Sequence, residues 1–323
     1  MKTLLLIDAN SIIHRAFHAL PPFTGPDGRP TGALYGISAM MLTLLRTNRP
    51  EYAAALFDRP EPTFRDEKYK EYKAQRPPTA NELIAQIIEA RDLFRAFGIK
   101  TFEKPGFEAD DLIATLAEKF RNEKDLQVMI LTGDRDTLQM VDGEKIVVKI
   151  FNKGVSDTTI YDEKAVIEKY GLKPEQLIDY KALVGDNSDN IKGVPGIGPK
   201  TAVEIIRTHG TLEKVLAAMP KDEKLQKRLG PFVAEAELSK YLVTLDRNVP
   251  LEPAELGGLE DLQLPSVEAA QETIAKYFKT LGSATLLRRL LEGDKPVVAK
   301  QPKEPKAAKM PKQPKGPIQP GLF

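Results

Sequence analysis

The chain has 323 residues, 41% hydrophobic and 29% charged, with a formal net charge of +1, three histidines and no cysteine. That composition suits one large or two smaller globular domains, and it excludes disulfides, thiolate metal sites and cysteine nucleophiles. Seven Lys and one Glu give residues 295–323 a charge of +6, leaving −5 on residues 1–294; no stretch is apolar or long enough to span a membrane, and Asp8 interrupts the apolar start too early for a signal peptide.

In chain order, TLLLID (3–8) reads as a buried strand ending in Asp8, with Asn10 or Ser11 placed to cap the next helix. Thr31 or Gly32 opens a helix to about Arg46, and YAAALFD (52–58) is a second strand ending in Asp58. RDEKYKEYKAQR (65–76) sets Arg65, Lys68, Lys70, Lys73 and Arg76 against three acids, with Tyr69 and Tyr72 interleaved. Such a run is a solvated helix face or a single-strand binder that alternates phosphate and base contacts. Pro77 and Pro78 end it, and Thr79 with Glu82 makes a capping-box pattern for a helix to about Phe97. A further helix spans Glu108 to Arg121, QVMILTGD (127–134) is a strand ending at Asp134, and 145–151 and 158–161 suggest strands near an edge. Strands alternating with helices imply a parallel sheet with right-handed crossovers. From Glu163 to about 292 the pattern changes to short helices separated by Gly and Pro. Beyond Asp294, seven Pro and seven Lys in 29 residues read as an extended arm.

Five acidic clusters recur where strands end or helices begin: Asp8; Asp58; Glu108, Asp110 and Asp111; Asp134 and Asp136; Asp186 and Asp189. Singly, each is explained by a turn, a cap or the favour of acids in a first helical turn. Together they belong at the carboxyl ends of parallel strands, where they would converge on one crevice. Like charges about 6 Å apart repel by on the order of 3 kcal/mol at an effective dielectric near 20, so such a cluster must hold cations or take up protons. Hard oxygen donors without histidine or thiolate point to two or more Mg²⁺ or Mn²⁺ ions, and two ions suit in-line attack on a phosphodiester. GVPGIGPKT (193–201) is no phosphate loop, because Gly198 and Lys200 are not adjacent and no strand precedes them. It reads as a turn between helices, either a plain connection or a clamp in which Gly193, Gly196, Gly198 and Lys200 approach duplex phosphates without reading bases.

Taken together, DANSIIHRAF, TGALYG, FDRPEPTFRDEKYKEYKAQRPP, GFEADDLIATLA, LTGDRDTLQMV and ALVGDNSDNIKGVPGIGPKTA resemble the 5′ nuclease domain of bacterial DNA polymerase I and its stand-alone homologues, within the flap endonuclease family. The resemblance covers about residues 1–290. It implies an α/β, PIN-like parallel-sheet nuclease core (1–162, with a helical arch at about 65–82). A helical region (163–292) would follow, carrying a helix-three-turn-helix DNA clamp at about 186–207. All nine acids named above would be metal ligands or their water-mediated shell. Lys73 and Arg76 would steer the scissile phosphate, with Arg65, Lys70 and Tyr72 on DNA nearby. Gly193, Val194, Gly196, Gly198, Lys200 and Thr201 would grip the duplex, with a potassium ion at the hairpin. The activity implied is 5′→3′ exonuclease and 5′-flap endonuclease cleavage of flaps, nicked or gapped duplexes and RNA–DNA primer junctions by a cytoplasmic, nucleoid-associated bacterial monomer. The end QPGLF resembles the Gln-x-x-Leu-Phe peptide that bacterial proteins insert into the sliding clamp, through Gln319, Leu322 and Phe323. The alternatives are a clamp-recruited DNA-binding scaffold and a detached front portion of DNA polymerase I.

Overall fold

The computed structural model describes residues 1–292 except 155, 156 and 253, so the Lys/Pro-rich tail and the expected clamp contacts at Gln319, Leu322 and Phe323 lie outside the described residues. Its first half runs β1 (Lys2–Asp8), α1 (Ala9–Ala19), α2 (Gly32–Asn48), β2 (Tyr52–Leu56), α3 (Phe64–Lys68), α4 (Asn81–Ala96), β3 (Lys100–Phe102), α5 (Ala109–Phe120), β4 (Leu126–Thr132), β5 (Ile146–Lys153) and β6 (Asp157–Tyr161). The second half is helical: α6 (Glu163–Tyr170), α7 (Leu177–Val184), α8 (Pro199–His209), α9 (Leu212–Ala218), α10 (Glu223–Leu229), α11 (Val233–Val243), α12 (Gln271–Thr280) and α13 (Ala284–Glu292). Among the described residues no helix is long and apolar enough to cross a membrane.

The sheet has the order β3-β2-β1-β4-β5-β6. All pairs are parallel except β5 with β6, so the sheet is mixed rather than purely parallel. β1 and β2 are buried over most of their length because helices cover both faces, and their buried residues are almost all apolar, as buried parallel strands require. β3 is invisible to an apolar-run reading: it has three residues, two of them polar, and lies on the edge beside β2.

Successive strands step outward from β1 to β3, and the chain then returns to pair β4 with the other side of β1. The carboxyl ends of β1 and β4 therefore flank a topological switch point, the place where an open α/β sheet leaves a crevice. One face of the sheet is packed by α5 and by helices of the second half, in a single apolar cluster that includes Leu4, Leu116, Val215, Leu229 and Leu262. The other face is packed by α1, α2 and α4, joined by Ile274, Phe278 and Leu286 from α12 and α13. Residue 162 is thus a change of local structure but no break in packing. Phe97 and Phe278 meet edge-on at 6.1 Å, and Arg46 donates to the carbonyls of Arg289 and Leu290, capping the end of α13.

Local capping differs from the sequence reading in two places. α1 is capped by Asp8 itself, whose carboxylate accepts from Ser11 N at 3.0 Å, rather than by Asn10 or Ser11. The Thr79–Glu82 capping box does not form; α4 starts after Ala80 without a side-chain cap.

Candidate active site

A cleft of about 620 Å³ opens at the switch point, and Asp8, Asp58, Glu108, Asp110, Asp134, Asp136 and Asp186 all line it. Each acid arrives on an element end. Asp8 closes β1, with Oδ1 on Ser11 N and Oδ2 accepting from the Thr132 hydroxyl at 2.6 Å. Asp58 follows β2 and accepts from Ala109 N at 2.7 Å, which ties that strand end to the start of α5. Asp134 follows β4 and accepts from Asp136 N at 2.9 Å. Glu108 is the N-cap of α5, and Asp110 sits in its first turn with Oδ1 buried and without a hydrogen-bond partner.

Burial and crowding act on these groups in the same direction. Asp8 is 5% exposed, and burial, aided by the charges of Asp58 and Asp134, pushes its carboxyl up to about 7. Asp110 is pushed well above the carboxylate range by burial and by Asp8, Asp134 and Asp58. The half of the cleft around Asp8, Asp58, Asp110 and Asp134 is therefore short of positive charge.

The rest of the acids are paired with basic side chains. Lys73 Nζ lies 2.5 Å from Glu108 Oε1 and 3.9 Å from Asp189 Oδ2, and Arg76 lies 2.5 Å from Asp189 Oδ1. Burial would lower the Lys73 ammonium, but Glu108 and Asp189 outweigh it and raise it. Lys181, on α7, bridges Asp136 and Asp186. It escaped the sequence reading; the signal was a lone lysine inside the apolar run of α7, five residues before Asp186. His14 and Arg15 of α1 also line the cleft unforeseen, and Arg15 donates to the carbonyls of Phe151, Asn152 and Gly154, tying the end of β5 to α1.

Several expectations are corrected. Asp111 is fully buried, and its carboxylate is consumed by two 2.7 Å bonds from Arg65 and by the backbone N–H groups of Glu108 and Asp246. No lone pair there faces the cleft, so Asp111 is a structural acid rather than a metal ligand. Arg65 is 1% exposed and adds bonds to the carbonyls of Leu242 and Thr244, so it cannot touch DNA. Tyr72 is buried as well, its hydroxyl shared between Glu108 and Asp189 at 3.1 and 3.2 Å, which leaves no free ring face for stacking. The expected helical arch at about 65–82 does not form as a helix: before α4 begins at Asn81 the only helical turn is Phe64–Lys68, and 70–75 is a run of turns, with Lys73 at φ 52°, docked on the 186–190 loop. Lys70 is exposed there.

The glycine-rich connection joins α7 to α8. Gly193 is buried back-to-back with Gly185, where an added Cβ would lie 2.3 Å from Gly185 N. Val194 is buried with its N–H bonded to the Leu183 carbonyl. Both expected duplex contacts are therefore structural. Gly196, Gly198 and Lys200 are exposed, Thr201 is half-buried, and the α8 N-terminus has no side-chain cap, which leaves its amides open to an anion.

Among the described residues no three acidic or imidazole side chains stand as a ready-made ligand set. The fit to a divalent cation rests on chemistry instead: oxygen donors only, an excess of buried negative charge, and the Asp110 oxygen that no protein donor meets.

Comparison with known proteins agrees with this fold. Residues 3–171 match the family described as 5′-3′ exonuclease, N-terminal resolvase-like domain, and residues 172–269 match the 5′-3′ exonuclease, C-terminal SAM fold. DNA polymerase I of Bacillus caldotenax is 40% identical over 302 residues, covering 92% of this chain and 34% of that protein. The chain thus spans about a third of the length of such polymerase relatives. The 5′-3′ exonuclease of Aquifex aeolicus is 39% identical over 265 residues, covering 82% of this chain and 87% of that protein. Among solved structures, T5 5′-exonuclease with bound zinc ions superposes with a TM-score of 0.60 at 23% identity, covering 87% of this chain and 100% of that one. The catalytic core of Rad2 in complex with DNA substrate gives 0.56 at 19%, covering 90% and 92%. At those identities the likeness is one of fold.

Proposed function

The chain belongs to the 5′-3′ exonuclease family, and from that membership we propose that it is a metal-dependent, structure-specific 5′ nuclease, hydrolysing phosphodiesters near single-strand to duplex junctions as an exonuclease and flap endonuclease. The observation that carries this reading is the convergence of Asp8, Asp58, Asp110 and Asp134 on the switch-point cleft, with an Asp110 oxygen buried and unmet. In finer terms, the first half is a PIN-like core and the α7–α8 connection a helix-three-turn-helix clamp.

Asp8, Asp58, Glu108, Asp110 and Asp134 would hold one Mg²⁺ or Mn²⁺ ion, and Asp136, Asp186 and Asp189 would complete the shell of a second. When bound, such ions supply Lewis-acid stabilisation of the developing oxyanions and a water made acidic enough to attack at neutral pH. The protein's own part begins with charge exchange. Lys73 and Arg76 leave Glu108 and Asp189 and take the non-bridging oxygens of the scissile phosphate, where donors aimed at developing charge act most strongly. Lys70 adds a phosphate contact on the same loop. Gly196, Gly198, Lys200 and Thr201 receive duplex phosphates at the open α8 N-terminus, a sequence-independent grip that sets where the junction falls; a potassium ion at this hairpin is part of the same reading.

The remaining proposals concern context. Substrates would be 5′ flaps, nicked or gapped duplexes and RNA–DNA primer junctions, handled by a monomer in the bacterial cytoplasm near the nucleoid. A sliding clamp would bind through Gln319 to Phe323. Cleavage of end-labelled 5′-flap, nicked and blunt duplexes with Mg²⁺ or EDTA tests the reading: products released from the 5′ side of junctions only with Mg²⁺ support it, and EDTA-resistant or 3′-sided cleavage refutes it.

A further inference from the structure

Apart from Glu108, which Lys73 holds, the carboxylates lining the cleft fall into two groups that differ in how their charge is balanced. Asp8, Asp58 and Asp134 are held by neutral donors, namely Ser11 N, the Thr132 hydroxyl, Ala109 N and Asp136 N, and Asp110 keeps an oxygen with no partner at all. Asp136 and Asp186 instead share one cation. The ammonium of Lys181 is bonded to Asp136 Oδ1 and lies 2.6 Å from Asp186 Oδ2, while Asp186 Oδ1 is taken by the Ser188 amide and hydroxyl at 2.8 and 2.5 Å.

Lys181 differs from the two basic residues of the 69–76 loop. Lys73 and Arg76 sit on turns outside any helix, whereas Lys181 is fixed on α7 next to the buried Ala182 and Leu183. Its backbone cannot withdraw without disturbing the apolar cluster beneath the sheet. Only its four-carbon stem can swing, and it will do so when a stronger cation takes its two carboxylates or an anion offers the ammonium a new partner.

We propose that Lys181 is a built-in counter-ion for the Asp136–Asp186 half of the cleft, competing there with a divalent cation. One ion then binds tightly among Asp8, Asp58, Asp110 and Asp134, which no lysine holds, and a second binds weakly because it must displace the Lys181 ammonium and tolerate its positive charge nearby. A substrate phosphate entering the cleft gives the displaced ammonium a negative partner. Phosphate and the weak ion therefore favour each other's binding, and by linkage the coupling is reciprocal. Lys181 acts here as a positioning residue for the cation, and the inference rests on the metal-nuclease reading above.

The test is a Mn²⁺ titration of the full chain without DNA, with free Mn²⁺ followed by electron paramagnetic resonance, for wild type, Lys181→Met, Lys181→Gln and Lys181→Arg. Wild type and Lys181→Arg should show one tight and one weak ion. Lys181→Met should tighten the weak ion roughly tenfold or more and leave the tight one unchanged; Lys181→Gln gives the same readout should the methionine variant not fold. Two equally tight ions in wild type, or a weak ion unmoved by both neutral variants, overturns the role of Lys181 while leaving the nuclease reading intact. Absence of Mn²⁺ binding in every protein, wild type included, overturns both.

Discussion

Replacing Asp111 by Asn separates a structural acid from a metal ligand. The carboxylate is fully buried and receives two 2.7 Å bonds from Arg65, itself 1% exposed, together with the amides of Glu108 and Asp246. Removing one member of such a buried pair leaves the other charge uncompensated, which costs about 3–5 kcal/mol. Arg65 also holds the carbonyls of Leu242 and Thr244, so the loss spreads to the end of α11. At the lower end of about 2–4 °C per kcal/mol, as suits a chain this long, melting should fall by roughly 6–10 °C. Arg65→Met with Asp111→Leu, which removes both charges, should recover much of that loss, because a buried pair and its apolar replacement are often close in energy. The assay is thermal and urea unfolding in EDTA, with Mn²⁺ affinity measured alongside. Near-normal stability of Asp111→Asn combined with a lost ion would refute the reasoning and return Asp111 to the ligands.

Other perturbations test other parts of the account. Asp8 has a folded-state pKa of about 7, above its ordinary value of 3.8, so its burial carries no penalty below pH 3.8 and the full penalty above 7. In EDTA, stability should therefore fall as pH rises between those values, at up to roughly 1.4 kcal/mol per pH unit for this group, and Asp8→Asn should flatten the slope in calorimetry at a series of pH values. Added Mg²⁺ should raise the melting temperature more at pH 8 than at pH 5. Lys73→Ala and Arg76→Ala should each lower single-turnover cleavage by roughly 10²-fold while duplex binding changes little; equal losses in both would make them simple phosphate contacts. Gly193→Ala should destabilise the fold, because its Cβ would meet Gly185 at φ +63°, whereas Gly196→Ala, exposed at φ +79° with open space, should fold with about 1 kcal/mol of strain and weaken duplex binding in a filter assay.

Much of the sheet was legible because buried parallel strands are short apolar runs, and the acids that end them mark the crevice side. β3 was not, being three residues long at an edge. The site was legible as a set of acids but not as a set of pairs. Arg65, Lys73 and Lys181 find carboxylates 46, 35 and 45 residues away in sequence, which no local charge pattern encodes; only the Lys181–Asp186 pair is local. For the same reason the 65–76 run read as solvated or DNA-facing: the acids that hold Arg65, Lys73 and Arg76 come from the start of α5 and the 186–190 loop. The return of α12 and α13 to the first sheet face was likewise hidden, since an amphipathic stripe states that a helix is covered but not by what.

The most direct test of the central claim is single-turnover hydrolysis of a 5′-flap duplex by Asp58→Ala, whose parent side chain enters the cleft at the end of β2 and bonds the start of α5. Flap affinity is measured on the same preparation. The account predicts that cleavage falls by roughly 10³-fold or more with Mg²⁺ while the flap is still bound; near-normal turnover by this variant would contradict it.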